Sequence, residues 1–267
     1  MKISIVTRYC GKSELNFAHK LQEPLWKNHN VDILPLDHSW TNLKICPLNI
    51  SDLVISIGGD GTLLQVVSKM QIQRPIIGVN FGGVGFLTDI EQSIAIENIT
   101  KLVDVGKFPI EPRMRIDVLS EGRKIGTALN EIAFKGWDSY SIGKYTVNVD
   151  DVIATEFKGD GLLISTPTGS TAYALSAGGS ITDPRLNCFL IVPVAPYLLS
   201  SRPQIVHGSR KLTVSADDSI MIVDGCKYDG DGISCQSLEF KVSDNPALFV
   251  DVGRNFFEKV NTKLKRL

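Results

Sequence analysis

Residues 52–62 read DLVISIGGDGT. The apolar run from Asp52 to Ile57 stops at Gly58-Gly59, and from Thr62 to Met70 the apolar spacing turns helical. A strand that passes through glycines into a helix leaves the first helical N–H groups unpaired and turns the positive helix pole outward. That junction suits a phosphate. Glycine there lets the backbone approach phosphate oxygens with no Cβ in the way. The segment is neither a G-x-x-x-x-G-K-[ST] loop nor a G-x-G-x-x-G fingerprint. What it adds is a carboxylate, Asp60, for which a helix N-cap is the structural alternative.

Outward from this junction the chain alternates. Ile3 to Thr7, Val31 to Leu34 and Pro75 to Val79 read as strands, and Ser13 to Lys27 as a helix with Leu15, Ala18, Leu21, Leu25 and Trp26 near helical spacing. Near-continuous apolar strands between helices predict a parallel sheet covered on both faces. A second strand-to-glycine junction follows at Gly78-Val79-Asn80-Phe81-Gly82-Gly83-Val84-Gly85-Phe86-Leu87. If its strand neighbours that of Asp52 to Ile57, both loops open at the carboxyl edge of the sheet, where open α/β folds bind ligands.

Beyond about residue 110 the pattern changes to period two. Arg115 to Leu119, Ile125 to Phe134, Tyr145 to Val149, Leu212 with Val214, Ile220 with Ile222 and Phe240 with Val242 are separated by turn signals, which predicts an antiparallel all-β domain. Asn255 to Leu267 is helical again, with Phe256, Val260 and Leu264 on one stripe. The 28 Lys+Arg against 29 Asp+Glu, a net charge of −1, argue against a nucleic-acid or membrane-surface binder. The apolar run Phe189 to Leu199 is broken by Pro193 and Pro196 and falls short of the ~20 residues of a membrane span. Cys10, Cys46, Cys188, Cys226 and Cys235 are scattered without a C-x-x-C, and no signal peptide is read at the N-terminus. A cytoplasmic protein with reduced thiols is expected.

Chemistry-bearing residues recur in the β-rich half. Asn130-Glu131 interrupts an apolar strand, where polar groups need a partner, either a ligand or a buried structural hydrogen bond. The stretch 165–173 carries hydroxyls at Ser165, Thr166, Thr168, Ser170, Thr171 and Tyr173, suited to ribose or base recognition or, more plainly, to a turn before a helix. The histidines His19, His29, His38 and His207 share no metal-ligand spacing, and Asp229-Gly230-Asp231-Gly232 lacks the pattern of a calcium loop. Five Asp-Gly pairs occur, at 60–61, 160–161, 224–225, 229–230 and 231–232, and singly each is also a hairpin signal.

In order, GGDG at 58–61, GVNFGGVGFL at 78–87, LNE at 129–131, KGDGLLISTPTGSTAYALSAGG at 158–179 and SSRP at 200–203 resemble the NAD kinase family, with a weaker match at Ile222 to Gly225. GGDG alone is shared with lipid kinases and phosphofructokinases; its combination with LNE and the STPTGSTAY block is specific. The resemblance implies transfer of the terminal phosphate of ATP, or of polyphosphate, to the 2′-hydroxyl of the adenosine ribose of NAD; Mg²⁺ or another divalent cation is expected on the donor phosphates, with no protein ligand to it assigned. It implies a Rossmann-like α/β domain over 1–95 plus about 252–267, a β-sandwich-like domain over 96–251, and a homodimer or homotetramer.

By the same resemblance Asp60 orients or deprotonates the ribose hydroxyl, and Gly58, Gly59, Gly61 and Thr62 hold donor phosphates. NAD is implied to meet Asp60, Gly61, Phe86, Asn130, Glu131, Lys158, Thr168, Thr171, Ala172, Tyr173 and Ser176. Asp160 and Ala195 are implied at its nicotinamide end, from a neighbouring subunit. Lys158 stands where arginine is frequent, losing the planar fork, and Tyr197 where histidine is common. A lipid or sugar kinase and a catalytically silent NAD(H)-binding regulator remain the alternatives.

Overall fold

A computed structural model describes residues 1–8, 11–36, 45–82, 85–138, 141–228, 235 and 237–265. The chain forms two compact units, Met1–Pro112 with Ala247–Leu267, and Arg113–Pro246.

The first unit runs β1 (Lys2–Arg8), α1 (Lys12–Leu25), β2 (Asn30–Leu36), α2 (Ile45–Asn49), β3 (Leu53–Gly58), α3 (Asp60–Lys69), β4 (Ile76–Asn80), β5 (Ile90–Glu91), α4 (Gln92–Val105) and β6 (Ile110–Arg113). Its sheet has the order β2-β1-β3-β4, and β1–β2, β1–β3 and β3–β4 are all parallel. Alternate residues of the strands explain the apolar runs. Ile3, Ile5, Leu53, Ile55 and Ile57 pack against α1 and α4, while Val54 and Ser56 between them are equally buried on a sheet that α3 also covers. The helical stripe of α1 is Phe17, Ala18, Leu21 and Leu25. Trp26, expected on it, is its C-cap and 65% exposed.

The boundary expected at residue 95 lies instead after 112. Ala95, Ile99 and Val103 of α4 are buried in the core of the first unit, so the helix that follows β5 belongs to this sheet. The final segment also belongs here. Strand β18 (Ala247–Val250; β7 to β17 are given below) lies between β4 and β6, and α6 (Phe256–Leu264) is capped by Asn255, whose side chain accepts from Phe257 and Glu258.

The second unit contains β7 (Ile116–Ser120), β8 (Arg123–Ala128), β9 (Glu131–Gly136), β10 (Gly143–Val149), β11 (Val152–Ser165), a 3-10 turn (Thr168–Thr171), α5 (Tyr173–Ser176), β12 (Cys188–Pro196), β13 (Gln204–His207), β14 (Leu212–Asp217), β15 (Ser219–Val223), β16 (Cys226–Lys227) and β17 (Leu238–Val242). The strands pair antiparallel in the order β16-β15-β9-β11-β10-β14-β17-β7-β8, with β12 joining β11 to β13. Phe134 of β9 and Phe240 of β17 stand four strands apart on that path. At ~4.8 Å per strand a flat sheet would separate them by ~19 Å. Their ring centroids are 6.2 Å apart, so the sheet curls around a single core.

Strand β11 makes this possible. Its first half pairs with β10 and its second half lies between β9 and β12. Gly159 and Gly161 sit at the change of partners, where a Cβ would come within 2.9 Å of the Val194 carbonyl oxygen and 2.6 Å of that of Phe134. The strand expected from Ile125 to Phe134 is two strands, broken at Leu129-Asn130. Among the described residues no helix is long and apolar enough to cross a membrane.

Candidate functional site

In the first unit the two glycine loops meet. Strands β3 and β4 are parallel neighbours in register Gly58↔Asn80, so both loops leave the same edge, and the Phe81 N–H donates to the Gly58 carbonyl at 3.0 Å. With β1 flanked by β2 and β3, this edge includes the topological switch point of the sheet. The cap of α3 is Gly59, and Asp60 is already helical. The N-cap explanation of Asp60 therefore does not hold.

The Asp60 carboxylate is turned toward the second loop instead. Oδ2 accepts from the Phe86 N–H at 2.5 Å, and Oδ1 accepts from the N–H groups of Leu87 and Thr88 at 3.0 Å each and from the Thr88 hydroxyl at 3.1 Å. Three of the four donors crowd Oδ1, while Oδ2 takes one and keeps a second acceptor direction. Gly85 is required by this approach: a Cβ there would fall 1.9 Å from Thr88 Oγ1 and 2.9 Å from Asp60 Oδ1. At Gly59 and Gly61 a Cβ would meet nothing within 4 Å, so the backbone opening α3 borders free space; at Gly58 it would strike Thr62 at 2.5 Å.

Helix α6 holds the loop from its other side. Lys259 Nζ donates to the Phe86 carbonyl at 3.0 Å and pairs with Asp89. One turn later Lys263 places its Nζ 5.5 Å from the Phe86 ring centroid, buried and without a hydrogen-bond acceptor among the described residues. Burial, and then the charge of Lys259, hold this ammonium below the usual lysine range; Asp60 and Asp89 act more weakly the other way. A cation over a ring gains about 0.5–2 kcal/mol, less than the several kcal/mol that a buried ion without a partner costs. From sequence, Lys263 shows only as part of a basic helix end that suits the negative pole, and Lys259 carries no signal.

The second unit carries its own polar centre. The break at Leu129-Asn130 has a cause in Asp224, whose carboxylate accepts from three successive N–H groups: Leu129 at 2.7 Å, Asn130 at 2.8 Å and Glu131 at 3.1 Å. Consecutive N–H groups converging this way form an anion nest, here filled by the chain's own carboxylate. Asp224 and Gly225 are the two-residue link between β15 and β16, both at positive φ (47° and 80°), as a type I′ hairpin turn requires. The carbonyls of 129–130 are held as firmly: the Thr166 hydroxyl donates to Leu129 at 2.6 Å, and Ser165 Oγ and the Thr166 N–H donate to Asn130 at 3.0 and 2.8 Å. A Cβ on Gly169 would lie 2.2 Å from the Asn130 carbonyl oxygen.

With the backbone thus held, the side-chain atoms Asn130 Oδ1, Glu131 Oε2 and Thr168 Oγ1 are buried without a partner among the described residues. Burial, with Asp224 adding, raises the Glu131 carboxyl to about 8. Burial also raises Asp224, against its three N–H donors and Arg115. Because those donors favour charge on Asp224, Glu131 is the member of the pair that keeps its proton at neutral pH.

The other sequence-expected residues divide. Thr171 and Ala172 close the 3-10 turn, the Tyr173 ring lies 4.8 Å from Lys135 Nζ, and Ser176 is exposed at the end of α5. Lys158, Asp160 and Ala195 are exposed together where β11 pairs with β12, with Ala195 in the left-handed region at φ 44°. Five residues of strand, ~17 Å, separate Asp160 from Ser165, which is paired with Glu131. Asp229 to Gly232, Gly83, Val84, His38, Cys10 and the side chain of Cys46 lie outside the described residues. Cys188, Cys226 and Cys235 are free thiols, and no group of three or more His, Cys, Asp or Glu able to hold a metal occurs among the described residues.

Residues 7–108 match the ATP-NAD kinase N-terminal domain and residues 129–252 the ATP-NAD kinase C-terminal domain. Curated relatives include NAD kinases of Methanospirillum hungatei, 40% identical, and Methanoregula boonei, 44% identical, each alignment covering 100% of both chains. The crystal structure of an NAD kinase from Archaeoglobus fulgidus in complex with ATP superposes with a TM-score of 0.85 at 27% identity over 100% of both chains. That of yeast NADH kinase complexed with NADH shares the fold at 22% identity, with a TM-score of 0.85 over 99% of this chain and 87% of that one. Both family domains in order, and relatives matched end to end, make this chain a member of the NAD kinase family.

Proposed function

We propose that the protein transfers the terminal phosphate of ATP to the 2′-hydroxyl of the adenosine ribose of NAD, giving NADP. The observation that carries the dinucleotide side is the set of unpaired buried atoms on Asn130, Glu131 and Thr168, poised for a polyhydroxylated ligand. A lipid substrate would need an apolar cleft there, and family membership favours a kinase over a silent binder. On the donor side the open space over Gly59 and Gly61 at the start of α3 suits phosphate oxygens, with Gly58 and Thr62 shaping the turn.

Phosphoryl transfer asks for positioning and charge stabilisation more than for covalent help. Asp60 aligns the incoming hydroxyl. A ribose hydroxyl can donate to Oδ2, which holds a single donor, or to Oδ1 where the Thr88 hydroxyl turns away by side-chain rotation. The carboxylates here are Asp60, already held by four donors, and Asp89, paired with Lys259. This donor set fits Mg²⁺ held mainly by donor phosphates and water, where the ion would neutralise developing charge. Incubation with NAD, ATP and Mg²⁺ should yield NADP; no NADP with either ATP or polyphosphate would refute the assignment.

The protein also functions as a homo-oligomer in this reading. Tyr197 (82% exposed), Leu199 (81%), Leu198, Val152, Ile153 and Ile205 put apolar surface on the second unit, beside Lys158, whose carbonyl accepts from the Tyr197 N–H. Lys158, Asp160 and Ala195 then serve a neighbouring subunit's nicotinamide end. Light scattering should give a dimer or tetramer, and Leu199→Glu should dissociate it; a monomer at micromolar concentration would exclude this. The free thiols suit the reducing cytoplasm.

A further inference from the structure

We propose that Lys263 is the cationic side of a phosphate subsite beside the Asp60 loop, supplying an ammonium to a phosphate oxygen of a bound ligand. The charges that act on Lys263 are two cations, Lys259 and Arg254, and two acids, Asp60 and Asp89. Both acids are committed, Asp60 to four donors of the 86–88 segment and Asp89 to Lys259. Lys263 is left with a buried Nζ that meets no oxygen among the described residues, beside the half-exposed Phe86 ring.

The geometry is fixed rather than incidental. Lys259 pins α6 to the carbonyl of Phe86, the residue whose N–H holds Asp60. The next helical turn then delivers Lys263 to the ring of the same residue. A side chain that only packed here would need no charge at its end, since an apolar residue fills such a space at no loss. An ammonium over a ring is a weak pairing that an ionised oxygen replaces with gain. The ligand class is therefore a phosphate, either of the donor chain or of the dinucleotide. Only that choice of source rests on the kinase reading.

The test uses the full-length protein, with inorganic tripolyphosphate, ATP and NADP as probes in thermal-shift titrations. Lys263→Met should melt no lower than the parent, yet lose at least ~10-fold in affinity for one phosphate probe. Lys263→Arg should restore most of it. Loss for tripolyphosphate and ATP identifies the donor chain, and loss for NADP alone identifies the dinucleotide. Lys263→Met with all three affinities unchanged, or a large fall in its melting temperature with no probe-specific loss, overturns the proposal. So does a parent protein that responds to no probe. These titrations need no turnover, so failure to form NADP would leave their outcome readable.

Discussion

Asp60→Asn is the substitution on which the structure speaks most directly. Were Asp60 an N-cap, asparagine would serve equally well and the fold would not notice. Its carboxylate instead receives three N–H groups and a hydroxyl. An amide can present its oxygen to the three donors on Oδ1, but its NH₂ must then face the Phe86 N–H across 2.5 Å. One charge-assisted bond, about 1.5–3 kcal/mol, becomes a donor-donor conflict, and the other three weaken with the lost charge. A net loss of about 2–4 kcal/mol follows, or about 5–15 °C in the melting temperature at about 2–4 °C per kcal/mol. Differential scanning calorimetry reads this on the apo protein. NADP formation, assayed well below the new transition, should fall at least ~10² if Asp60 also aligns the ribose hydroxyl. A variant melting within 2 °C of the parent would refute the anchoring role, and one turning over at the parent rate would refute the catalytic one.

Other outcomes follow from the same contacts. Gly85→Ala should cost about 1–3 kcal/mol by displacing Thr88 Oγ1, and less in a Thr88→Ala background, where only the approach to Asp60 Oδ1 remains; additivity in that double-mutant cycle would exclude the Thr88 contact. Glu131, raised to about 8, binds a proton in the folded chain that the unfolded chain releases above about 4.5. Stability should therefore be greatest below pH 4.5 as far as this group is concerned, and fall by about 1.4 kcal/mol per pH unit up to pH 8. Glu131→Gln should flatten that slope, which chemical denaturation at pH 6, 7 and 8 will reveal. Asp224→Asn leaves the Leu129 N–H facing an amide donor, which should cost about 1–3 kcal/mol, and should also move the Glu131 transition to lower pH; an unmoved midpoint would separate the two carboxyls electrostatically.

The elements legible in the sequence are those whose pattern reflects local burial. The apolar run of β3, the glycines that end it and the stripe of α6 all report their own surroundings. What escaped depends on partners far along the chain. Nothing around Asn130 indicates that a strand must break there, because the cause is Asp224, 94 residues away. Asp224-Gly225 shows only a hairpin turn, and its turn geometry is what frees the aspartate to point inward. Likewise the acceptor role of Asp60 comes from residues 26 to 28 positions later, and Lys259 meets Phe86 across 173. The boundary placed at 95 failed for the opposite reason. Helix α4 carries an ordinary amphipathic stripe, Ala95, Ile99 and Val103, that fits either unit until its packing is seen.

Strand β18 has a temporal consequence. It fills the place between β4 and β6 in the first sheet, yet it comes from residues 247–250. On the ribosome the amino-terminal unit must wait with a gap in its sheet, while the uninterrupted stretch 113–246 can finish first although it emerges later. The last helix then arrives to clasp the Phe86 loop. Residues 247–265 thus complete the first unit, and a chain truncated before residue 247 lacks both the missing strand and the clasp.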